Sequence, residues 1–222
     1  MNIIYIHGLD SDANSTKGLL LERYCQQYHP DINVLRPDLN KSPARVFEQL
    51  VCLIESLNSN ENKKVKDIDD ISNSKKTVLI GSSLGGYFST LVSNHIGCSA
   101  LLLNPSTQPH MTLQRFSNDD LLDNKDSLFV DKVLHQTAVG WSITQSDLQW
   151  FAEHQLSKVN YPEKIAVLIK EGDELLNPEL SKVFYQKQSS VVTLQAGGDH
   201  RFSDFDKQLP NIIVKLKQLL QK

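Results

Sequence analysis

Residues Gly81-Ser82-Ser83-Leu84-Gly85 read G-x-S-x-G; the apolar run Thr77 to Ile80 leads into them and a helical pattern follows. A strand that turns sharply into a helix lifts the central side chain, here Ser83, above the end of a sheet. Strand and helix pass close together at such a turn, so the flanking positions must be small, and Gly81 and Gly85 meet that need. A serine hydroxyl is a weak nucleophile until a base takes its proton. The motif therefore predicts acyl transfer assisted by a histidine and a carboxylate, in the chain order Ser, Asp or Glu, His. A plain glycine-rich strand-to-helix turn is the alternative. Neither G-x-x-x-x-G-K-[ST] nor G-x-G-x-x-G occurs, so a phosphate loop is not supported.

Two later segments supply the partners. Glu171-Gly172-Asp173-Glu174 follows the apolar run Ile165 to Lys170, and Asp173 is the preferred acid, with Glu174 and Glu171 as alternatives. Ala196-Gly197-Gly198-Asp199-His200-Arg201-Phe202 follows Val191 to Gln195, and its glycines allow a sharp bend that returns an imidazole over the sheet. His200 is the preferred base. His29, His95, His110, His135 and His154 fall in or beside helical patterns or in the irregular middle of the chain, where a lone histidine more often packs or faces solvent. The developing oxyanion also needs donors. One is the backbone N–H of Leu84, the residue after the nucleophile. The second is expected from the loop after the first strand, Tyr5-Ile6-His7-Gly8-Leu9-Asp10, with Leu9 preferred and Gly8 its neighbour. His7 is expected to hold that loop by hydrogen bonds rather than to act as the base.

These residues need a scaffold that brings several strand ends together. Strand candidates are Asn2 to Ile6, Asn33 to Arg36, Thr77 to Ile80, Ser99 to Leu103, Ile165 to Lys170 and Val191 to Gln195. Helical patterns lie between them, at about Lys17 to Tyr28, Pro43 to Ser56, Leu84 to His95, Pro178 to Lys187 and Phe205 to Leu220. Such alternation predicts an α/β domain with a mostly parallel sheet, and open sheets of this kind place sites at the carboxyl ends of their strands. The run from Pro105 to Tyr161 interrupts it and is expected to be a helical insertion, a modest cap at one edge. Its Phe116, Phe129, Trp141, Trp150 and Phe151 are candidates for an acyl pocket wall, with simple packing onto the sheet as the alternative. The polar stretch Asn58 to Lys76 is expected to form a surface loop.

The chain has 222 residues, a length that suits one domain over residues 1–222. Its net charge of −3 gives no electrostatic reason to approach nucleic acid or an anionic membrane. No apolar stretch reaches the roughly 20 residues needed to span a bilayer, and the opening MNIIYIHGLD reads as a strand rather than a signal peptide. Cys25, Cys52 and Cys98 are odd in number and widely spaced, which favours neither a disulfide framework nor a zinc site and fits a reducing cytoplasm. No H-E-x-x-H or clustered Cys and His residues suggest a metal, so no metal and no cofactor are expected.

Together YIHGLDS, GSSLGGY, NPS at Asn104 to Ser106, GDELL at Gly172 to Leu176 and GGDHRF at Gly197 to Phe202 resemble the small bacterial YqiA-like esterases of the α/β-hydrolase superfamily, with the YcfP-like proteins more distant. The resemblance runs from Ile3 to about Leu219 in order and spacing. It implies a compact α/β-hydrolase fold with a modest helical cover and hydrolysis of carboxylic esters, extending to acyl thioesters. Carried over by position, the nucleophile falls on Ser83, the acid on Asp173 and the base on His200. Asp199 departs from the pattern, where an amide residue is expected more often, and a carboxylate beside the base would raise the pKa of that base. The sequence thus predicts a cofactor-independent serine hydrolase acting on a small acyl ester or thioester. A peptidase or lactonase could use the same residues. A binding module on the same fold is the reading from a different class.

Overall fold

The computed structural model describes residues 1–62, 76–118 and 131–221. Along the chain run β1 (Asn2–Ile6), α1 (Thr16–Tyr28), β2 (Asn33–Leu35), α2 (Pro43–Asn62), β3 (Thr77–Ser82), α3 (Leu84–Ile96) and β4 (Ser99–Leu103). Then follow α4 (Pro109–Thr112), a 3₁₀ segment (Leu113–Asn118), β5 (Val133–Gln136), β6 (Ser142–Thr144) and α5 (Gln145–Glu153). A second 3₁₀ turn (Pro162–Lys164) leads into β7 (Ile165–Lys170), α6 (Pro178–Lys187), β8 (Val191–Gln195) and α7 (Phe205–Leu219).

Six strands form one parallel sheet in the order β2-β1-β3-β4-β7-β8. Every residue of β1, β3, β4 and β7 is buried, as a parallel sheet covered by helices on both faces requires. The strand period of two sorts their side chains between two cores. Ile3, Tyr5, Val78, Ile80, Leu101 and Leu103 pack with α1 and α7. Ile4, Ile6, Leu79, Leu102, Val167 and Ile169 pack with α2, α3, α5 and α6. The chain leaves β1 for β2 on one side and returns to β3 on the other. β1 and β3 are therefore neighbours whose connections diverge, and the crevice above such a switch point is where open α/β sheets hold ligands.

The differences from the sequence reading are local. β3 continues two residues further, because Gly81 and Ser82 stay in register with Leu102 and Leu103 of β4. β2 stops before Arg36, whose guanidinium turns to Glu22 at 2.9 Å. Helix α2 runs on to Asn62, so the expected loop at 58–76 begins as helix, and its residues 63–75 lie outside those described. The 105–161 insertion is not wholly helical. It contains an antiparallel hairpin of β5 and β6, with a register shift between Val133 and His135 and Gly140 at φ +96° in the turn. Short, mixed-polarity strands hide from a search for apolar runs. The reversal around Gly140, which takes a backbone conformation that L residues rarely adopt, was the available signal. Residues 119–130 lie outside the described part of this insertion.

Candidate active site

At the end of β3 the chain makes a strained turn. Ser83 takes φ +55° and ψ −119°, outside the usual region for a residue with a side chain, and α3 starts at the next residue. The surroundings over-determine this conformation. The Ser83 N–H donates to the Leu103 carbonyl oxygen at 3.0 Å, and its own carbonyl accepts from Gly86 at 2.8 Å and Ser106 at 3.0 Å. A Cβ at Gly85 would collide with the Ile6 carbonyl oxygen, and one at Gly81 with the Gly85 carbonyl oxygen and the Ser89 hydroxyl. Both glycines are thus required by close backbone approach.

The structure brings the three predicted side chains into one line. His200 Nε2 lies 3.0 Å from Ser83 Oγ, while His200 Nδ1 lies 2.8 Å from Asp173 Oδ2 and 2.9 Å from Asp173 Oδ1. A carboxylate only accepts, so Nδ1 carries the ring proton and Nε2 presents its lone pair to the serine hydroxyl. The acid side chain is 2 % exposed and that of the histidine 12 %, which shields the pair from bulk water. Asp173 is further fixed by the amides of Leu175 at 2.9 Å and Leu176 at 2.8 Å, both donating to its Oδ1.

The acid and base loops are laced to each other. The Glu171 N–H donates to the Gln195 carbonyl and the Gly172 N–H to the Gly197 carbonyl, each at 3.0 Å. Glu174, one of the alternative acids, faces the backbone of the base loop instead: its Oε2 accepts the His200 N–H at 2.9 Å. Asp199 turns away, capping the Ser203 N–H at 3.0 Å, and hydrogen bonds from the Ser203 hydroxyl and amide hold its carboxyl below the usual range.

Asn104 has a positioning role that the sequence reading did not assign. This residue is 2 % exposed, with φ +42°. Its Oδ1 accepts the Lys170 N–H at 2.8 Å, and its Nδ2 donates to the carbonyls of Asp199 at 3.1 Å and His200 at 3.3 Å. It therefore ties the end of β7 to the loop that carries the base. An asparagine at a strand end, directly before a proline, was the available signal, since Asn tolerates left-handed backbone and can bond in several directions. Lys170 supports the same loop from beneath, with its ammonium 2.6 Å from Asp204 Oδ2 and over the Phe202 ring.

His7 sits at the β1 end, buried, 5 % exposed. Its Nε2 accepts the Leu39 N–H at 3.0 Å, its Nδ1 donates to the Gly8 carbonyl at 2.9 Å, and burial holds its pKa below the ordinary 6.5. The Gly8 backbone packs against the serine: an added Cβ would lie 3.1 Å from Ser83 Cβ. Gly8, Leu9, Leu84, Ser83 and His200 all line one cavity of about 770 Å³. Among the described residues, His200 is the histidine that does so.

Among the described residues, none of the expected aromatics lines this cavity, although Trp141 borders a smaller one beside Gly8, Leu9 and Leu84. Trp141 and Phe151 are buried in the core beneath the insertion, Trp150 stacks on His154 at 3.9 Å, and Phe116 stacks on His135 at 4.0 Å. Phe129 lies outside the described residues. The insertion instead lends the cavity Leu113, Arg115 and Val139, beside Leu175 and Leu176 of the acid loop. Large rings on amphipathic α5 bury more area between α2 and α3 than at a solvent-filled cleft. Among the described residues, no group of three or more His, Cys, Asp or Glu side chains is arranged to hold a metal, and no helix is long and apolar enough to cross a membrane.

A parallel sheet with this order, a serine on a strained strand-to-helix turn after β3, and an aspartate and a histidine past the ends of β7 and β8 define an α/β-hydrolase fold. The chain belongs to the uncharacterised protein family UPF0227, which matches residues 2–218 and includes the YqiA and YcfP proteins. Solved structures with the same fold include Est1E from Butyrivibrio proteoclasticus, with a TM-score of 0.69 and 11% identity over 100% of this chain and 88% of that one. An esterase domain from a Rhodothermus marinus protein gives 0.65 and 17% over 99% and 86%. Mouse alpha/beta hydrolase domain-containing protein 10 gives 0.62 and 16% over 98% and 90%.

Proposed function

We propose that this hydrolase cleaves carboxylic esters of small acyl substrates through Ser83, His200 and Asp173, without a cofactor. The observation that carries the reading is the continuous relay from Asp173 Oδ2 through the imidazole to Ser83 Oγ, at 2.8 and 3.0 Å, opening on a cavity. His200 Nε2 takes the hydroxyl proton as Oγ attacks the ester carbonyl carbon. The amides of Leu84 and Leu9 receive the oxyanion, the first of them from the opening turn of α3, whose leading N–H groups lack intrahelical acceptors. When the tetrahedral adduct collapses, the bond to the leaving oxygen breaks and His200 returns the proton to it. Water, deprotonated by the same nitrogen, then releases the acid and restores Ser83. Asp173 holds the tautomer and stabilises the imidazolium.

Acyl thioesters fit the same sequence of steps, since the relay fixes acyl transfer rather than the leaving atom. The three unpaired cysteines, one buried, one half-buried and one exposed, support a reducing cytoplasm as the site of action. The test is hydrolysis of p-nitrophenyl esters from acetate to decanoate by wild type and by folded Ser83→Ala, with fluorophosphonate labelling alongside. Labelling and turnover that both vanish in Ser83→Ala are expected. A folded wild-type protein that neither turns over an ester or thioester nor takes the label would point to a binding module.

A further inference from the structure

Among the charged groups that line the cavity and have no task in the mechanism, Lys17 stands out for its burial. Lys17, in the first turn of α1, lines the same space as Ser83 and His200 and is half-buried. Its ammonium donates to the carbonyl oxygen of Arg201, the residue after the base, at 2.6 Å. Among the described residues no carboxylate lies within ion-pairing distance of it. Burial lowers its pKa to about 8 against the opposing pull of Asp199, with the Arg201 charge adding to the lowering, so it remains a cation at pH 7. A half-buried cation whose near partner is only a carbonyl leaves room for an anion, and an anion there replaces the hydration that burial removed.

We infer that Lys17 anchors a single carboxylate on the substrate, so that this site acts on esters that carry one free acid group near the scissile bond. The inference rests on the proposed ester hydrolysis and narrows its substrate class. The rest of the lining limits the charge. Arg115 and Arg201 face the cavity, but so do Asp10 and Asp12, and Asp199 acts on Lys17 from nearby. The two loop aspartates are held in place by backbone amides, Asp10 by that of Ala138 at 3.3 Å and Asp12 by that of Asn14 at 2.7 Å. A lining so nearly balanced admits one negative charge beside Lys17 and opposes a polyanion such as an oligophosphate. The cavity is also short of a polar partner elsewhere: the hydroxyl of Ser106, a residue 5 % exposed, has no hydrogen-bond partner among the described residues, and its backbone N–H is bonded to the Ser83 carbonyl. An oxygen-bearing substrate suits such a lining better than a plain hydrocarbon ester.

The carboxylate could sit on either side of the scissile bond, and two probes separate the cases. In 4-acetoxybenzoate it lies on the leaving group, and in mono-p-nitrophenyl glutarate on the acyl chain; phenyl acetate and p-nitrophenyl butyrate are their neutral counterparts. Calorimetry on the full-length Ser83→Ala protein reads binding without turnover. At least one carboxylate probe should bind about tenfold tighter than its neutral counterpart. That ratio should fall to about one in Ser83→Ala/Lys17→Gln and be restored in Ser83→Ala/Lys17→Arg. A ratio near one with Lys17 intact, or a ratio that survives Lys17→Gln, overturns the inference. So does a loss that strikes neutral and charged probes equally, which would make Lys17 a brace for the Arg201 backbone. Failure of the hydrolase reading would look different: ester turnover in the wild-type background would be absent or indifferent to Ser83, whatever the binding ratios.

Discussion

The carboxyl edge of the sheet and the 105–161 insertion are built by different means. At the edge, the loops after β1, β3, β4, β7 and β8 are held by long-range bonds, such as Asn104 to Lys170, Asp199 and His200, or Glu174 to the His200 amide. Four non-glycine residues there take positive φ: Asp10, Ser83, Asn104 and Phe202. In the described part of the insertion the bonds are mostly local. Thr144 and Asp147 form a capping box on α5, Trp141 Nε1 donates to Asp147 at 3.1 Å, and the Trp141 amide donates to the Thr137 hydroxyl at 2.8 Å. Strain persists only where the surroundings over-determine it, so the edge is where atoms are held to fixed positions and the insertion is where a wall is hung. If so, changes at the edge should cost catalysis, and changes in the insertion should cost stability or selectivity.

The sharpest contrast is at the relay. Ser83→Ala and His200→Ala are each expected to lower kcat for a p-nitrophenyl ester by about 10⁴-fold or more, with the melting temperature little changed. Residual turnover within tenfold of wild type in either variant would detach the chemistry from the edge altogether. Next in size is Asn104→Ala. It removes three hydrogen bonds, one buried and two part-buried, and an asparagine that tolerates φ +42°, for about 2–3 kcal/mol of stability. Because two of those bonds hold the base loop, kcat should fall about tenfold while KM moves little. A variant that loses stability alone would make Asn104 a fold residue and not a positioning one.

These two cases also mark how far the sequence could be read. Ser83, Asp173 and His200 were legible because each needs a distinctive local setting, a small-flanked turn or a glycine-bent loop just past an apolar strand, and the setting shows in neighbouring letters. Asn104 and Glu174 were named only as part of family motifs or as a rival acid. Their work is done on backbone atoms far along the chain, Asn104 to His200 for one, and no local pattern encodes an acceptor 96 residues away. The parallel sheet was legible from its buried runs for the same local reason. The hairpin of β5 and β6 was not, since its half-buried polar residues break the apolar signal and its pairing depends on a turn at one glycine.

In the insertion, Trp141→Phe should sharpen the other half of the comparison. The indole is buried and its N–H bonded to Asp147, whose carboxyl is already pushed up by burial and keeps the Thr144 amide as a donor. Losing that bond and some packing should cost about 1–2 kcal/mol, seen in denaturant melts, with kcat within twofold.

His7 gives the smallest effect and the finest cut, because it lies at the edge yet stands outside the relay. In the folded chain its pKa is depressed, by burial foremost, with the Gly8 carbonyl and Asp38 opposing; in the unfolded chain it returns to about 6.5. A histidine depressed by folding contributes stability that is present above the unfolded pKa and is lost as pH falls from about 6.5 towards the folded value. Protonating Nε2 also removes the acceptor for the Leu39 N–H, a bond worth about 1 kcal/mol. Between pH 7.5 and 5.5 the wild-type melting temperature should therefore drop about 2–4 °C further than that of His7→Gln. If the two fell in parallel, the loop that presents Gly8 and Leu9 to the serine would owe its shape to packing alone, and the edge would be less tightly held there than at Asn104.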